Sequence, residues 1–307
     1  MNNEFMKLAE MTEEEARKML EGLRWSDGII CPKCGSDKGA YEMKSKPESK
    51  NQIRPGLYKC KACRKTFTVT MGTIFEDSHI PLKKWMLAIY LMNASKKGIS
   101  AHQLHRMLDI TYKAAWFMAH RIRYAMTEQP LGQLLGTVEA DETYIGGKMR
   151  GGTRGRGSEN KTPVFALVER GGELRAGKVS NVNAKTLKGI IRNNVTPDSR
   201  IMTDNFRSYA GLDKEFAGHE TVDHGVGEYV KGDAHTNTLE GWFSLLKRGV
   251  NGTFHHVSEQ HLDRYVGEFV YRYNNREMSD TERAKKAVRK TEGKRLVYKE
   301  TIKKAGS

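Results

Sequence analysis

Val138–Lys148 reads VEADETYIGGK, and Glu139, Asp141 and Glu142 put three carboxylates within four consecutive positions of it. The stretch otherwise has the pattern of a β-strand running into a glycine turn. Asp and Glu are poor strand formers, and like charges crowded on a strand repel. Either the strand is exposed and simply hydrated, or something cationic sits against it. Because strand side chains alternate between faces, Glu139 and Asp141 share one side. Glu142 faces the other, where a salt-bridge partner is expected.

Two more acidic residues are placed to join Asp141. Ser199–Asp204, SRIMTD, is a short apolar run that ends at Asp204 and a turn. In His235–Gly249, HTNTLEGWFSLLKRG, a helical wheel makes Leu239, Trp242, Phe243 and Leu246 one buried stripe. Asn237, Glu240, Ser244 and Lys247 flank that stripe, so Glu240 is expected at the edge of the core. Two strand-borne Asp and one helix-borne Glu suit a two-metal phosphoryl-transfer site, with two Mg²⁺ about 3.5–4 Å apart. A plainer account is also open. Asn237-x-x-Glu240 fits a capping box, in which Glu240 does no more than start a helix.

The charge balance narrows the partner. The 307 residues hold 52 Lys and Arg against 37 Asp and Glu, a net +15, which favours a polyanion, nucleic acid first and an anionic membrane second. No apolar run reaches the roughly 18–20 residues needed to span a bilayer, and the N-terminus lacks a signal-peptide layout. A soluble, cytoplasmic protein is expected. The organisation expected is multidomain α/β: an N-terminal helix (1–26) capped by Thr12, a cysteine segment (27–76), three helices (78–128), a β-rich domain with helices (132–278), and a basic tail or loosely docked helix (279–307). The strands of the fourth domain are expected in TVEADETYIGG, PVFALVER, ELRAGKVS and SRIMTD, with a helix, NAKTLKGIIRNN, before the last of these.

All four cysteines fall in the second domain, as CPKCG and CKACRKTF: Cys31, Cys34, Cys60 and Cys63. Two C-x-x-C knuckles let four thiolates converge on a tetrahedral Zn²⁺. Two disulfides, or a redox dithiol, are the alternatives. A cytosolic chain disfavours the first, and the doubling of the motif disfavours the second. The insert between the knuckles exceeds the usual 15–20 residues, so it must form a hairpin or loop of its own.

Gly98–Met126, GISAHQLHRMLDITYKAAWFMAHRIRYAM, reads as a helix-turn-helix with Ser100 and Thr111 as caps. Ile99, Leu104, Leu108, Ile110, Trp116, Ala119 and Ile122 form its apolar seam. Tyr112, Lys113, His120, Arg121 and Arg123 are then expected outward, on a helix suited to a major groove; a small helical bundle with a basic outer face is the bland alternative. Gly146–Lys161, GGKMRGGTRGRGSENK, carries Lys148, Arg150, Arg154 and Arg156 and reads as a phosphate-contacting hairpin or a solvated loop. Lys247 and Arg248 are further DNA-binding candidates. His235 and Asn237 are candidates to position DNA or water, or to cap the helix, and Glu139 to support the site from behind.

Five blocks together carry a resemblance: RWSDGIICPKCGS, VEADETYIGGK, KTPVFALVERGG, TDNFRSYAGL and HTNTLEGWFSLLKRG. In this order, from about Thr12 to Arg276, they resemble bacterial insertion-sequence transposases with a zinc-ribbon head, the IS-fifteen-ninety-five family. The resemblance implies a ribonuclease-H-like domain of the retroviral-integrase type with a mixed sheet. It also implies a DDE active site of Asp141, Asp204 and Glu240, holding two Mg²⁺ or Mn²⁺. The implied activity is a DNA transposase that binds terminal inverted repeats of double-stranded DNA, hydrolyses phosphodiester bonds and joins the freed 3′-hydroxyl to target DNA. A homo-oligomer on DNA and a place at the nucleoid come with it. The rivals are a domesticated DNA-binding regulator without catalysis and a nuclease that cuts without joining. The inter-knuckle insert and the basic tail are where the chain is expected to depart from the family.

Overall fold

Thr12 followed by three glutamates is a helix start, and the computed structural model forms it. After α1 (Glu4–Glu10) comes α2 (Glu13–Arg24). The Thr12 hydroxyl accepts from the Glu15 N–H at 3.2 Å, and the Glu15 carboxylate accepts from the Thr12 N–H at 2.8 Å. The structure describes residues 4–45, 48, 50, 52–146, 161–222 and 235–302. The chain divides into two compact units. The first joins Met1–Ser95, Ala101–Met126 and Met278–Lys303; the second joins Thr127–Glu277 with Lys96–Ser100 and Lys304–Ser307.

In the first unit the cysteine segment folds as a small antiparallel sheet of β1 (Ala40–Glu42), β2 (Tyr58–Cys60) and β3 (Thr66–Phe67), with β2 in the middle. The insert between the knuckles thus supplies β1, and Tyr58 and Phe67 pack with Trp25. Three helices follow: α3 (Leu82–Ala94), α4 (Ala101–Leu108) and α5 (Tyr112–Met126). α3 has no side-chain cap of its own. The Glu13 carboxylate on α2 accepts from the Leu82 and Lys83 N–H groups instead, at 2.6 and 3.1 Å. Asp109 turns the chain with a left-handed φ of 47°, and the Thr111 hydroxyl accepts from the Ala114 N–H at 3.2 Å to start α5.

The second unit is built on β4 (Thr137–Gly146), β5 (Lys161–Glu169), β6 (Leu174–Lys178), α6 (Ala184–Asn194), β7 (Arg200–Asp204), β8 (Gly218–Val222), α7 (Asn237–Arg248) and α8 (Leu262–Asn274). The sheet order is β6-β5-β4-β7-β8. The first three strands pair antiparallel, while β7 joins β4, and β8 joins β7, in parallel. Each face is covered. Val138, Ala140, Phe165, Leu167 and Ile201 pack on Leu187 and Ile191 of α6. Ile145, Val164, Ala166 and Val168 pack on Leu239, Trp242, Phe243 and Leu246 of α7 and on α8. This double cover explains the unbroken apolar run Val164–Val168. The expected stripe of α7 is therefore the buried one. β8 was not expected, since GHETV has a single buried residue, Val222.

The stretch expected as a tail forms α9 (Asp280–Arg289) and α10 (Tyr298–Ile302) within the first unit. Ser279 and Glu282 make a full capping box at the start of α9. Ala284, Ala287 and Val288 are buried, and α9 packs on α3, α2 and α5 while α10 packs on α5. This corrects the reading of α5 as well. His120, Arg121 and Arg123 were expected outward but are buried, because α5 packs on α3, α9 and α10 as well as on α4, sides that a two-helix reading leaves open. The Arg121 guanidinium donates to the Glu76 carbonyl and lies over the rings of Trp85 and Phe117. Lys113 and Tyr112, in the first turn, do face solvent.

If α9 is part of this core, Ala287→Asp places an uncompensated charge there and should destabilise the first unit by on the order of 3 kcal/mol. An unchanged melting temperature would show that α9 is not docked.

Candidate active site

β4 and β7 run parallel with Val138 opposite Ile201 and Glu139 opposite Met202. Carried two residues further, that register sets Asp141 beside Asp204 at the carboxyl end of β7, where strand spacing is about 4.8 Å. Parallel neighbours in register project to the same face. Val138, Ala140 and Ile201 belong to the α6 face, so Glu139, Asp141 and Asp204 project to the face covered by α7. α7 carries Glu240 in its first turn, exposed to solvent rather than tucked at the core edge as expected.

The electrostatics report the same proximity. Burial first, then the charges of Glu142, Asp204 and Glu240, push the Asp141 carboxyl up to about 8, although the Glu142 N–H donates to its Oδ1 at 2.7 Å. Asp204 is fixed by the turn after it, where the Phe206 N–H donates to its Oδ1 at 3.0 Å. Glu142 does point to the opposite face. The partner found there is the buried Tyr209 hydroxyl, which donates to Oε2 at 2.6 Å. The pocket of charge at Asp141 suits a divalent cation, since hard Mg²⁺ takes carboxylate oxygens and would relieve the crowding.

Behind these groups Glu139 is fully buried. Its Oε2 accepts from the Thr238 and Leu239 N–H groups at 3.0 and 3.2 Å. Its Oε1 accepts from the Thr238 hydroxyl at 2.9 Å and from Arg170 Nε at 3.0 Å. The His235 ring lies 3.2 Å from the same oxygen, and Arg170 also donates to the His235 carbonyl at 2.9 Å. The alternative of an Asn237–Glu240 capping box falls here. α7 begins at Asn237 after Thr236, with no side-chain cap in its own sequence, and Asn237 is exposed. Its first turn is satisfied by a carboxylate about 100 residues away.

The four cysteines converge. Cys31 Sγ lies 3.8 Å from Cys63 Sγ, Cys34 Sγ lies 3.8 Å from Cys60 Sγ, and all four lie within 4.8 Å of one another. Four sulfurs about 2.3 Å from one Zn²⁺ at tetrahedral corners would stand about 3.8 Å apart, so the set fits zinc. The Cys63 N–H, 3.5 Å from Cys60 Sγ, draws the Cys60 thiol down to about 7. Among the described residues this is the only such group of His, Cys, Asp and Glu.

Of the DNA-binding candidates, Lys113, Lys247 and Arg248 are exposed. Lys113 Nζ lies 4.6 Å over the Tyr298 ring. Lys148, Arg150, Arg154 and Arg156 lie outside the described residues. Sequence reading missed Arg170 altogether. The one available signal was an arginine at the end of an apolar strand whose neighbour strand carries a buried-face glutamate.

Two measurements test these geometries. Metal analysis should return one Zn²⁺ per chain, and Cys60→Ser should speed proteolysis of the cysteine segment while leaving the second unit folded; protein purified without chelators and free of zinc would refute the site. At Asp141 the folded carboxyl titrates near 8 against about 3.9 unfolded. The stability it contributes is full below about pH 4 and is lost as pH rises towards 8. In EDTA, Asp141→Asn should therefore match the parent at about pH 4 and melt progressively higher than it towards about pH 8. A difference independent of pH would show that the carboxyl is not crowded.

The ISXO2-like transposase domain family matches residues 133–274, and the transposase zinc-ribbon domain family matches residues 11–66. A protein of Halobacterium salinarum described as an uncharacterized protein in transposable element ISH50 is 32% identical over 282 residues, covering 85% of this chain and 91% of its own. An uncharacterized transposase-like protein of Haemophilus influenzae is 33% identical over 100 residues, 33% of this chain and 80% of its own. A chain of the simian T-cell lymphotropic virus intasome complexed with PP2A regulatory subunit B56 gamma aligns at a TM-score of 0.30 and 15% identity, covering 55% of this chain and 66% of that one, too weak a likeness to bear on fold or function. A zinc-ribbon match followed by a transposase-domain match, and a relative aligned along most of both chains, place this chain in the IS-fifteen-ninety-five family of transposases.

Proposed function

We propose that the chain is a DDE-type DNA transposase whose catalytic carboxylates are Asp141, Asp204 and Glu240. The observation that carries this is the register of β4 and β7, which sets Asp141 beside Asp204 under the helix that bears Glu240. The sheet supports a ribonuclease-H-like reading: three antiparallel strands, a helix, then two parallel strands added beside the first. A DNA-binding regulator has no use for a half-buried carboxyl pushed up to about 8 by burial and then by the charges of Glu142, Asp204 and Glu240, whereas a metal site has.

Two Mg²⁺ or Mn²⁺ held by these carboxylates would supply activation of the attacking oxygen and charge stabilisation of the leaving one. The chain's own residues do the rest. Asp141 and Asp204 are held rigidly on the sheet, while Glu240 closes the set from α7. In the first step a water oxygen bonds to phosphorus and the bond to the 3′-oxygen breaks, leaving a 3′-hydroxyl on the element end. In the second, that hydroxyl bonds to a target phosphorus and displaces the target's 3′-oxygen, so one phosphodiester replaces another.

The element's inverted repeats are read by α4 and α5 as a helix-turn-helix. With His120, Arg121 and Arg123 buried, the reading surface is the first turn of α5, Tyr112 and Lys113. His102 of α4 stacks 4.2 Å from Tyr112. A recognition helix presents its N-terminal residues to base edges, so this turn suffices. Lys247 and Arg248, on the exposed last turns of the helix that carries Glu240, contact strand phosphates near the site. Paired ends imply that the protein acts as a homo-oligomer on DNA.

Asp141→Asn, Asp204→Asn and Glu240→Gln keep shape and remove ligand charge. Each should lower cleavage of end DNA in Mg²⁺ at least about 10²-fold while end binding stays within about 3-fold. Near-normal cleavage by any of the three would place the metal site elsewhere. Joining of a precleaved end to target by the parent protein separates a transposase from a nuclease that only cuts.

A further inference from the structure

The three proposed ligands come from elements held in place by different means. Asp141 and Asp204 ride on paired strands, two residues beyond the last β4–β7 pair, Glu139 with Met202. Glu240 rides on a helix whose own sequence provides no cap and whose first turn faces solvent on one side. Something must fix that first turn against β4 to better than an ångström, since displacements of that size cost about 10²-fold in rate.

We propose that Glu139 is the positioning residue that fixes it, a buried carboxylate anchor that sets Glu240 relative to Asp141. This rests on the proposed metal role of Glu240 and adds to it. Glu139 lies two residues before Asp141 on the same face of β4, so the anchor and the ligand share one rigid segment. Its two oxygens take the Thr238 N–H, the Leu239 N–H and the Thr238 hydroxyl, the donors immediately before Glu240. The bonds are charge-assisted and sit where the positive end of the helix dipole favours an anion. Arg170, on the turn after β5, supplies the counter-charge at 3.0 Å. By donating to the His235 carbonyl it also pins the chain that leads into α7. The carboxylate is thus held from β4, from the β5–β6 turn and from α7 at once. Removing its charge cannot be absorbed by a local side-chain rotation.

Glu139→Gln is the informative change. The amide nitrogen would have to face donors, Arg170 Nε beside the Thr238 hydroxyl on one side or the Thr238 and Leu239 N–H groups on the other. One side of the anchor is therefore lost while volume is kept. The single-turnover cleavage rate should fall about 10–100-fold, and half-saturating Mg²⁺ should rise by a comparable factor, as expected when the support behind a ligand is lost. End-DNA affinity should stay within about 3-fold, and amide exchange should quicken at Thr238, Leu239 and Glu240 while the β4–β5 ladder stays protected.

The Mg²⁺ requirement is the discriminating readout, because a fold that is merely weakened lowers the active fraction without shifting it. If Glu240→Gln is inactive but Glu139→Gln keeps the parent's rate and Mg²⁺ requirement, the anchor is refuted and the reading of the site stands. If Glu240→Gln itself cleaves normally, the metal role of Glu240 falls, and the anchor's function with it. A slower rate with an unchanged Mg²⁺ requirement and exchange quickened across the whole sheet also overturns the proposal. Should Glu139→Gln fail to fold, Thr238→Val removes the hydroxyl donor at nearly constant volume. It must then raise half-saturating Mg²⁺ at least about 2-fold, and no rise refutes the anchor.

Discussion

Like charge held together at the end of a sheet is the constraint around which the second unit is arranged. Two carboxylates about 5 Å apart repel by about 3 kcal/mol at an effective dielectric of about 20, and partial burial adds a desolvation cost. A flexible loop would relax that repulsion by moving its side chains apart. Strands cannot: Asp141 is fixed by the antiparallel ladder to β5, and the parallel ladder to β7 holds the same strand up to Glu139, two residues before it. The apolar packing on both faces of the sheet, from α6 and from α7 with α8, supplies the rigidity that the crowding opposes.

Helix capping divides the structure along the same line. α2, α6 and α9 start with caps from their own sequence, Thr12 with Glu15, Asn183, and Ser279 with Glu282. α3 and α7 have none, and each is capped by a carboxylate from another element, Glu13 and Glu139. A local cap specifies that a helix forms; a distant one also specifies where it sits. The free energy of such a bond, about 0.5–2 kcal/mol for an ordinary cap, is the same in either case. The positional information is not. It falls on the two helices whose placement the chain cannot derive from short connections.

The same division explains what could be read from the sequence. Strand parity put Glu139 and Asp141 on one face and Glu142 on the other, and the structure agrees. The apolar stripe of α7 and the two C-x-x-C knuckles were equally legible, since each is a pattern of period or spacing within one segment. What escaped were long-range facts. β8 is a polar edge strand that exists because β7 offers it a partner. α9 packs on helices some 190 residues earlier in the chain, and its burial of small residues leaves no apolar stripe to notice. His120, Arg121 and Arg123 were misplaced because a wheel drawn for α4 and α5 alone has one buried face, whereas α5 also packs on α3, α9 and α10. Asn237 was an equally reasonable cap until Glu139 took the donors.

The crowding at Asp141 also bears on cation affinity. A carboxyl pushed up to about 8 is mostly protonated at neutral pH, and a cation entering there would have to displace that proton. Its charge would offset those of Glu142, Asp204 and Glu240 in the same event. A cation that binds the folded but not the unfolded chain would stabilise the fold by mass action, and more strongly as pH rises and that proton leaves. The zinc knuckles work the other way round. Their sulfurs already stand at the edge length of a tetrahedron, and the small sheet they join has only a modest apolar core, so metal there completes a fold. On the proposed reading, the two sets of groups would bind metal in two physical regimes. The cysteines would draw stability from the ion, whereas carboxylates on a sheet packed on both faces would not need one to hold the fold.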